Sequence, residues 1–317
     1  MTMRPLARLL STCAFIGALT CICVDASAGE TQGKQAVHRL VAKKGELPAF
    51  FDCLRETEAV IVSAHRGGPS AGYPENAIET FDNTLSRIPA LLEVDVQKSA
   101  DGVLMLMHDD DLDRTSTGTG PLAEKTFKEL RKLKLKDNAG AETPFLIPTL
   151  DEVLKWSKGK TIVALDRKDP ITYGDLIAKV KAHDAFDRVI FATYKIEDAI
   201  EISNAAPQAV IVTPVEKLED LDALQAGGVP LDRVLAWEGI EIPQPDLFKQ
   251  LAERGVEVIF GTLGWWSGSW DERIRVLGDD TLYIRITRGV QIVPTDRPLD
   301  VVAVLPGADR AEACSAQ

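Results

Sequence analysis

The feature that most constrains the fold of this chain is a repeated alternation of short apolar runs with amphipathic segments. Eight runs rich in β-branched residues occupy positions 60–64, 91–96, 161–166, 189–193, 209–212, 234–237, 256–261 and 291–294. Most are separated by helical patterns, and strands that alternate with helices run parallel. Eight such units in about 250 residues predict a single-domain (β/α)₈ TIM barrel. An open, doubly wound sheet is the alternative that strand counting does not exclude.

One further apolar run, residues 103–107, does not fit this alternation. It follows the second predicted strand too closely for a parallel crossover, and Asp101-Gly102 between the two runs is a hairpin signal. We therefore predict a β-hairpin arm after the second strand, with Lys98 facing Val103 and Glu93 roughly opposite His108. In that register Glu93, Asp95 and His108 share one face, because side chains alternate along a strand. A slip of the register by one residue is the alternative, and it would turn His108 away from that face.

Three carboxylates fall on neighbouring strands of the predicted barrel. Glu93 and Asp95 lie on the second strand, and Asp166 ends the third. Active sites of these barrels lie at the carboxyl ends of the strands, so the three side chains are expected at one rim. An oxygen-rich cluster suits a hard divalent cation, and we predict a site for one Mg²⁺ or Ca²⁺.

Histidines and cations flank the predicted metal site. His65 follows the first strand and His108 ends the hairpin arm, where the two could act as general acid and general base. Arg66 and Lys168 can donate charge-assisted hydrogen bonds to a phosphate. A metal, an acid, a base and cations around one anionic group suit the cleavage of a phosphodiester.

Some motifs in this stretch also have a simpler structural interpretation. Pro74-Glu75-Asn76 followed by Glu79 resembles a helix start, with Asn76 as the N-cap and Glu79 completing a capping box. On that interpretation these residues have no part in the site.

The two ends of the chain are predicted to lie outside the barrel. Arg4 and Arg8 precede an apolar stretch over residues 9–24, and Ala26-Ser27-Ala28 fits a cleavage site, so residues 1–28 are predicted to be a signal peptide. An uncleaved N-terminal anchor is the alternative. Residues 29–58 are predicted to form a helical extension, 59–305 the barrel and 306–317 a tail. We expect an exported protein, periplasmic or secreted, whose mature chain has no stable membrane span.

The cysteine content agrees with export. Cleavage would leave only Cys53 and Cys314 in the mature chain, and an even pair in an oxidising compartment can form a disulfide. Two free thiols are the alternative. The formal net charge of −12 argues against a basic face for nucleic acid, so no nucleic acid partner is expected. A small anionic substrate would therefore need a local positive centre.

Taken in order, the motifs of this chain resemble those of the glycerophosphodiester phosphodiesterase family. The matching elements are His65-Arg66-Gly67, Pro74-Glu75-Asn76, Glu93-Val94-Asp95-Val96, Asp101-Gly102, His108-Asp109, Leu112-Asp113-Arg114-Thr115, Gly118-Thr119-Gly120, Ile147-Pro148-Thr149-Leu150 and Thr295-Asp296-Arg297-Pro298. The resemblance extends from about residue 61 to residue 298.

The resemblance implies a divalent-cation-dependent phosphodiesterase on a (β/α)₈ barrel that releases an alcohol and glycerol 3-phosphate. It implies that His65 and His108 are the acid–base pair, that Glu93 and Asp95 bind the metal, and that Arg66 contacts the phosphate. Asp166, with Lys168 two residues later, stands where the family usually has a Glu as its third ligand.

A second departure from the family pattern follows the seventh strand. Gly261-Thr262-Leu263-Gly264 precedes Trp265 and Trp266 where the family usually shows Trp-Thr-Val-Asn. The two tryptophans could bind the alcohol portion of the substrate or simply cover the barrel edge. Two other functions therefore stay open: a lysophospholipase D-like or sphingomyelinase D-like phosphodiesterase, and an exported binding protein without turnover.

Overall fold

The structure is a computed structural model that describes residues 38–264 and 266–316. The predicted signal peptide, residues 29–37 and Trp265 lie outside the described residues. The strands are β1 (Ile61–Ala64), β2 (Ala90–Lys98), β3 (Leu104–Leu106), β4 (Lys134–Lys136), β5 (Glu142–Leu146), β6 (Val163–Arg167), β7 (Val189–Ala192), β8 (Val210–Pro214), β9 (Val234–Trp237), β10 (Glu257–Ile259) and β11 (Ile292–Thr295). The helices are α1 (Leu47–Glu56), α2 (Ile78–Leu85), α3 (Phe127–Leu130), α4 (Leu150–Trp156), α5 (Tyr173–Ala182), α6 (Ile196–Ala205), α7 (Leu218–Ala226), α8 (Pro245–Glu253), α9 (Trp270–Leu277), α10 (Leu282–Ile286) and α11 (Pro298–Val304).

Eight parallel strands close into a barrel. The strand order is β1-β11-β10-β9-β8-β7-β6-β2, and β1 also pairs with β2, which completes the ring. All eight predicted strands are present, and the closure excludes the open-sheet alternative. The main apolar core lies between the outward faces of the strands and the surrounding helices, with Phe81, Phe191 and Phe260 fully buried in it. Among the described residues, none of the helices has the length and hydropathy needed to span a membrane.

The hairpin arm after β2 is present, but its predicted register is wrong by one residue. β3 runs antiparallel to β2 with Lys98 opposite Leu104. The backbone N–H of Ser99 donates to the carbonyl oxygen of Val103, and the backbone N–H of Val103 donates to Ser99 Oγ, both at 2.9 Å. The turn therefore contains three residues and ends at Gly102, whose φ of 82° is the left-handed conformation that such a loop requires. The strand ends at Leu106, so the direction of His108 is set by the segment that follows and not by the strand register.

The end of the barrel opposite the strand carboxyl termini is closed by α1. Phe50, Phe51 and Leu54 of α1 pack in one cluster with interior barrel residues such as Ile190 and Leu235. Within the predicted helical extension, α1 is a helix, whereas residues 38–46 form none. Gly45 adopts a φ of 80°, and Pro48 lies in the first turn of α1, where a missing N–H is tolerated.

A disulfide joins Cys53 of α1 to Cys314 near the C-terminus, with the two Cα atoms 5.7 Å apart. The bridge connects positions separated by 261 residues and links α1 to the 3₁₀ helix Ala308–Cys314. It therefore ties both ends of the described chain to the closed end of the barrel.

Removing this disulfide is expected to lower the free energy of unfolding by about 2–5 kcal/mol, because the cross-link limits the unfolded chain over a long loop. The measurement is urea unfolding of oxidised wild type, Cys53→Ala, Cys314→Ala and the double variant. The two single variants should lose the same amount, and the double variant should lose little more. A loss below about 0.5 kcal/mol in all three would show that the bridge contributes nothing to stability.

Candidate active site

Three carboxylates converge at the carboxyl ends of β2 and β6. Ligand oxygens of Glu93, Asp95 and Asp166 all lie within 4.8 Å of one another. The parallel register places Asp95 beside Asp166, which explains why residues 71 positions apart in the sequence meet. Two oxygens that share one ion are at most about 4.2 Å apart for Mg²⁺ and about 5 Å apart for Ca²⁺. The observed bound of 4.8 Å lies within the Ca²⁺ limit, so the three carboxylates are close enough to share one divalent cation of that size.

The charge of this cluster also fits a cation. Partial burial and the charge of Asp95 raise the pKa of Glu93 to about 8. Burial also opposes ionisation of Asp95, but the charges of Lys168, His108 and Arg66 outweigh it and lower the pKa of Asp95. Like charges held this close repel one another, so additional positive charge stabilises the cluster. A bound divalent cation supplies that charge, so the donor set fits a metal.

Arg66 lies in a tight turn that directly follows β1. The turn His65–Gly67 is a 3₁₀ helix in which Gly67 has a φ of 86° and leaves no room for a Cβ against the ring of Phe81. The backbone N–H of Arg66 donates to Glu93 Oε2 at 2.8 Å, and Nη1 donates to Glu75 Oε1 at 2.9 Å. Arg66 Nε is buried, makes no hydrogen bond among the described residues and lies 3.7 Å from Asp95 Oδ2. The guanidinium therefore connects Glu75 to the acidic cluster.

Glu75 and Asn76 belong to this site, and the predicted helix cap is wrong. Asn76 Nδ2 donates to Asp95 Oδ2 at 2.8 Å, and Asn76 Oδ1 accepts from the backbone N–H of Asp95 at 3.0 Å. The helix α2 has Ala77 at its N-cap instead. Glu75 is buried and joins Arg66 to Arg114. Both side chains position the carboxylates and the arginine around the rim.

The first histidine is held by a chain of two carboxylates. His65 Nδ1 lies 2.6 Å from Asp296 Oδ1, and the other oxygen of Asp296 accepts from the backbone N–H of Gly264 at 2.7 Å. Asp271 Oδ2 in turn accepts from the backbone N–H of Asp296 at 2.7 Å and from Thr295 Oγ1 at 2.8 Å. Burial lowers the pKa of His65, but the hydrogen bond to Asp296 and the charge of Glu93 outweigh it and raise the pKa.

The second histidine has a similar support. His108 Nδ1 lies 2.7 Å from Asp109 Oδ1, and Arg114 holds both oxygens of Asp109. Gln97 fixes the backbone of this segment through the carbonyl oxygen of His108 and the carboxylate of Asp110. In both histidines a carboxylate accepts from Nδ1, so Nε2 is the atom left for proton transfer.

Lys168 contacts two of the three carboxylates directly. Its Nζ lies 2.8 Å from Asp95 Oδ1 and 2.7 Å from Asp166 Oδ2. Burial lowers the pKa of Lys168, but the charges of Asp95 and Asp166 outweigh it and raise the pKa, so the ammonium stays charged. Tyr194 donates from its hydroxyl to Asp166 Oδ1 at 2.7 Å and fixes the other oxygen. Lys168 therefore offsets negative charge in the acidic cluster. Its contact with a phosphate stays a prediction.

Two cavities meet at His65. The first has a volume of about 420 Å³, and most of its lining residues are of ionisable types: His65, Arg66, Pro69, Glu75, Arg114, Asn138, Gly264, Asp271, Glu272, Arg275, Asp296 and Arg297. The second, of about 240 Å³, extends into the barrel mouth and is mainly apolar, with Glu93 and Asp166 among its lining residues. A substrate with its phosphate beside Arg66 and the carboxylates would extend into both.

Of the predicted substrate-binding tryptophans, Trp265 lies outside the described residues. Trp266 is 48% exposed, packs against Gly264 and Gly268, and lines neither of these two cavities. Its binding role stays a prediction. Trp237, which sequence reasoning did not select, does line the apolar cavity. Its position as the last residue of β9 was a usable signal, because barrel sites form at strand carboxyl ends.

Replacing Asp296 by asparagine is expected to lower kcat about a hundredfold with a smaller change in KM, because the amide no longer fixes the Nδ1–H form of His65. The measurement is steady-state kinetics on a glycerophosphodiester. Asp300→Asn is the matched control, since Asp300 binds Arg297 at the surface of α11. Equal kinetics in Asp296→Asn and Asp300→Asn would contradict the positioning role of Asp296.

A closed (β/α)₈ barrel with an acidic cluster that could hold a metal ion and two carboxylate-supported histidines at its rim defines the structural class of this protein. A sequence model of the "Glycerophosphoryl diester phosphodiesterase family" matches residues 65–299. That range covers most of the barrel and every described residue of the site. The chain belongs to the glycerophosphoryl diester phosphodiesterase family.

Individual relatives agree with this assignment. A crystal structure of a glycerophosphoryl diester phosphodiesterase from Parabacteroides distasonis is 32% identical, with a TM-score of 0.74 over 85% of this chain and 94% of that chain. Glycerophosphodiester phosphodiesterase 1 of Bos taurus is 38% identical over 104 residues, which are 32% of this chain and 31% of that protein. The enzyme of Bacillus subtilis is 25% identical over 219 residues, 60% of this chain and 74% of that protein. The match to the bovine relative thus spans about a third of its length.

Proposed function

We propose that this protein is a metal-dependent phosphodiesterase that hydrolyses glycerophosphodiesters to glycerol 3-phosphate and an alcohol. The observation that carries the proposal is the convergence of a three-carboxylate cluster, Arg66 and two carboxylate-supported histidines at one rim. Family membership and the named relatives support the same reaction.

Arg66 binds the substrate phosphate through its guanidinium, which lines the larger cavity beside the acidic cluster. Glu75 holds the guanidinium in place, and Arg114 shares the charge of that carboxylate. The binding of a phosphate oxygen by this donor offsets negative charge that builds up as the diester is cleaved. Glu93, Asp95 and Asp166 would hold one Mg²⁺ or Ca²⁺, which when bound adds Lewis-acid stabilisation of the phosphate oxygens.

His65 and His108 transfer the protons. One imidazole accepts a proton at Nε2 from the nucleophile, and the other donates a proton from Nε2 to the leaving alkoxide. The nucleophile is either water or the adjacent hydroxyl of the substrate glycerol, and the second route forms a cyclic phosphate that water then opens. Phosphorus NMR during turnover distinguishes the two routes by the presence or absence of the cyclic ester.

Export of the protein is part of the proposal. The Cys53–Cys314 disulfide supports it, because such bonds persist mainly in oxidising compartments. The predicted cleavage after Ala28 is tested by N-terminal sequencing of the mature protein. A mature protein that starts at Met1 would contradict it.

The lysolipid alternative places an acylated glycerol in the larger cavity. That cavity is lined by paired charges, including Arg66–Glu75, Arg275–Glu272 and His65–Asp296. Such a lining suits a polyol, which can hydrogen-bond to it, and disfavours an acyl chain, which would desolvate it. A lining that suits a polyol better than an acyl chain supports a glycerophosphodiester as the substrate.

The other alternative is a binding protein without turnover. Any cation-dependent hydrolysis of a phosphodiester would exclude it.

The test is a panel of glycerophosphocholine, glycerophosphoglycerol and lysophosphatidylcholine, assayed with Mg²⁺ and with Ca²⁺. The proposal predicts release of glycerol 3-phosphate from at least one water-soluble diester at a kcat/KM at least tenfold above that for the lysolipid. Preferential hydrolysis of lysophosphatidylcholine would favour the lysophospholipase D-like function. No hydrolysis of any member with either cation would contradict both.

A further inference from the structure

Part of the wall of the larger cavity is supplied by a hairpin outside the barrel. Asn138 lies in the turn that joins β4 to β5, and it lines this cavity together with Pro69 of the loop that follows β1. Neither residue has a part in the metal binding or the proton transfer proposed above. The position of Asn138 in the cavity wall therefore calls for a separate explanation.

The turn of the β4–β5 hairpin is fixed by Asp137. This side chain is buried, and its Oδ1 accepts from the backbone N–H groups of Ala139 at 3.0 Å and Ala141 at 2.9 Å. Its Oδ2 accepts from the backbone N–H of Gly72 at 2.8 Å, which ties the turn to the loop after β1. Asn138 follows Asp137 directly, so its backbone is held at a defined place beside the cavity.

The hairpin also packs against the segments that carry the proposed catalytic groups. The ring of Tyr73 stacks on the ring of Phe145 in β5, with the two centroids 6.2 Å apart. Leu135 of β4 is buried in one small apolar core with Met107, the residue that precedes His108. A substrate group that contacts the turn is therefore held in a constant position relative to His108.

The side chain of Asn138 suits a hydroxyl better than the charged residues around it do. Arg275 is paired with Glu272, and Arg297 is paired with Asp300. Asn138 is exposed, and its amide forms no hydrogen bond within the part of the chain that the structure describes. A carboxamide offers two donors and an acceptor, and a hydroxyl both donates and accepts, so the two groups match.

We propose that Asn138 is a specificity-determining residue that binds the terminal hydroxyl of the substrate glycerol. The inference rests on the proposed function, because the glycerol must occupy the larger cavity with its phosphate at Arg66 and the acidic cluster. The hydroxyl next to the phosphate then stays near the histidines, and the terminal hydroxyl extends toward the hairpin turn. The same oxygen carries the acyl chain of a 1-acyl lysophospholipid, so this contact also favours the deacylated substrate.

The experiment compares two choline phosphodiesters that differ by one hydroxyl. Glycerophosphocholine has both hydroxyls, and its 2-hydroxypropyl analogue keeps the hydroxyl next to the phosphate but lacks the terminal one. Both routes of cleavage are open to the analogue, so the ratio of the two kcat/KM values measures recognition of the terminal hydroxyl alone. We expect wild type to prefer glycerophosphocholine about three- to tenfold, the value of one or two hydrogen bonds. Equal values in wild type would overturn the inference.

Asn138→Ala assigns the effect to one side chain. We expect kcat/KM for glycerophosphocholine to fall about three- to tenfold, mainly through KM, while kcat/KM for the analogue stays the same. Asn204→Ala is the matched control, since Asn204 is exposed on α6 and does not line the cavity. An equal loss on both substrates in Asn138→Ala, or no loss on either, would contradict a contact with the terminal hydroxyl.

Calorimetric binding of glycerol 3-phosphate and of 2-hydroxypropyl phosphate tests the contact without turnover. We expect wild type to bind glycerol 3-phosphate about three- to tenfold more tightly, and Asn138→Ala to bind the two with equal affinity. If no diester is hydrolysed but binding follows this pattern, the proposed function fails and the role of Asn138 stands. If diesters are hydrolysed and wild type binds the two phosphates equally, the role of Asn138 alone fails. If wild type neither hydrolyses a diester nor binds either phosphate, both proposals fail.

Discussion

His65→Ala is expected to lower kcat about 10²–10⁴-fold, because it removes a proton-transfer group that a carboxylate holds in position beside the acidic cluster. His108→Ala should have an effect of the same order, and the double variant should lose much less than the product of the two, since the residues act in one reaction. The measurement is steady-state release of glycerol 3-phosphate. His183→Ala is the matched control, because His183 pairs with Asp151 at the outer helices.

A substrate with a more acidic leaving alcohol separates the two histidines. A nitrophenyl ester needs little proton donation, so it should restore most of the lost rate in the variant that lacks the general acid and not in the variant that lacks the general base. The structure supports either assignment, since Nδ1 of each histidine is bound to a carboxylate. If His65→Ala keeps most of its activity on the natural substrate, the two-histidine mechanism is wrong.

Removing a single carboxylate from the acidic cluster is expected to abolish cation binding and activity together. Glu93→Gln, Asp95→Asn and Asp166→Asn should each weaken cation affinity at least about a hundredfold. Loss of a residue that only hydrogen-bonds to a metal ligand already weakens metal affinity about 10–100-fold. Calorimetric titration with Mg²⁺ and Ca²⁺ measures this directly. Asp222→Asn is the control, because Asp222 is an exposed partner of Arg254.

The same series tests the departure from the family pattern at position 166. Asp166 reaches the cluster although it is one methylene shorter than the usual Glu, and Lys168 and Tyr194 each hold one of its oxygens. Asp166→Glu is therefore expected to bind a cation, with an altered preference between Mg²⁺ and Ca²⁺. Unchanged cation affinity in Asp166→Asn would show that this residue is not a ligand.

The barrel could be predicted because its signal is repetitive. Each buried strand needs a neighbouring strand on both sides, and eight strands separated by helices are compatible with few sheet topologies. The arm after β2 was predictable for a similar local reason, because Asp101-Gly102 marks a turn. Its register was not, since a three-residue loop and a four-residue loop both accommodate the same glycine, and only the pairing of Ser99 with Val103 decides between them.

The helical extension predicted over residues 29–58 is not helical over residues 38–46, because apolar spacing alone does not show what an apolar side chain packs against. Leu40 has the position expected on a helix face, but its backbone N–H donates to the carbonyl oxygen of Lys160 and its side chain is buried beneath the barrel. Asn76 failed as a cap for the same reason. The Asn76 side chain can either cap the helix or bond to Asp95, and it bonds to Asp95 because a buried carboxylate without a hydrogen bond is costly.

The residues that support the histidines were the hardest to predict. Asp296 is 231 residues from His65, and Asp271 lies on a helix with no motif that marks it. Only closure of the barrel, which pairs β11 with β1, brings Asp296 next to His65. The sequence motif Thr295-Asp296-Arg297-Pro298 indicated that the region matters but not which atom it contacts.

A divalent cation at Glu93, Asp95 and Asp166 is expected to be required for the hydrolysis of a glycerophosphodiester. The most direct measurement is release of glycerol 3-phosphate from glycerophosphocholine by the wild-type protein before EDTA treatment, after it, and after Mg²⁺ or Ca²⁺ is added back. We predict that EDTA abolishes the reaction, that one of the two cations restores it, and that neither restores Glu93→Gln. Full activity in EDTA, or equal restoration of Glu93→Gln, would contradict the claim.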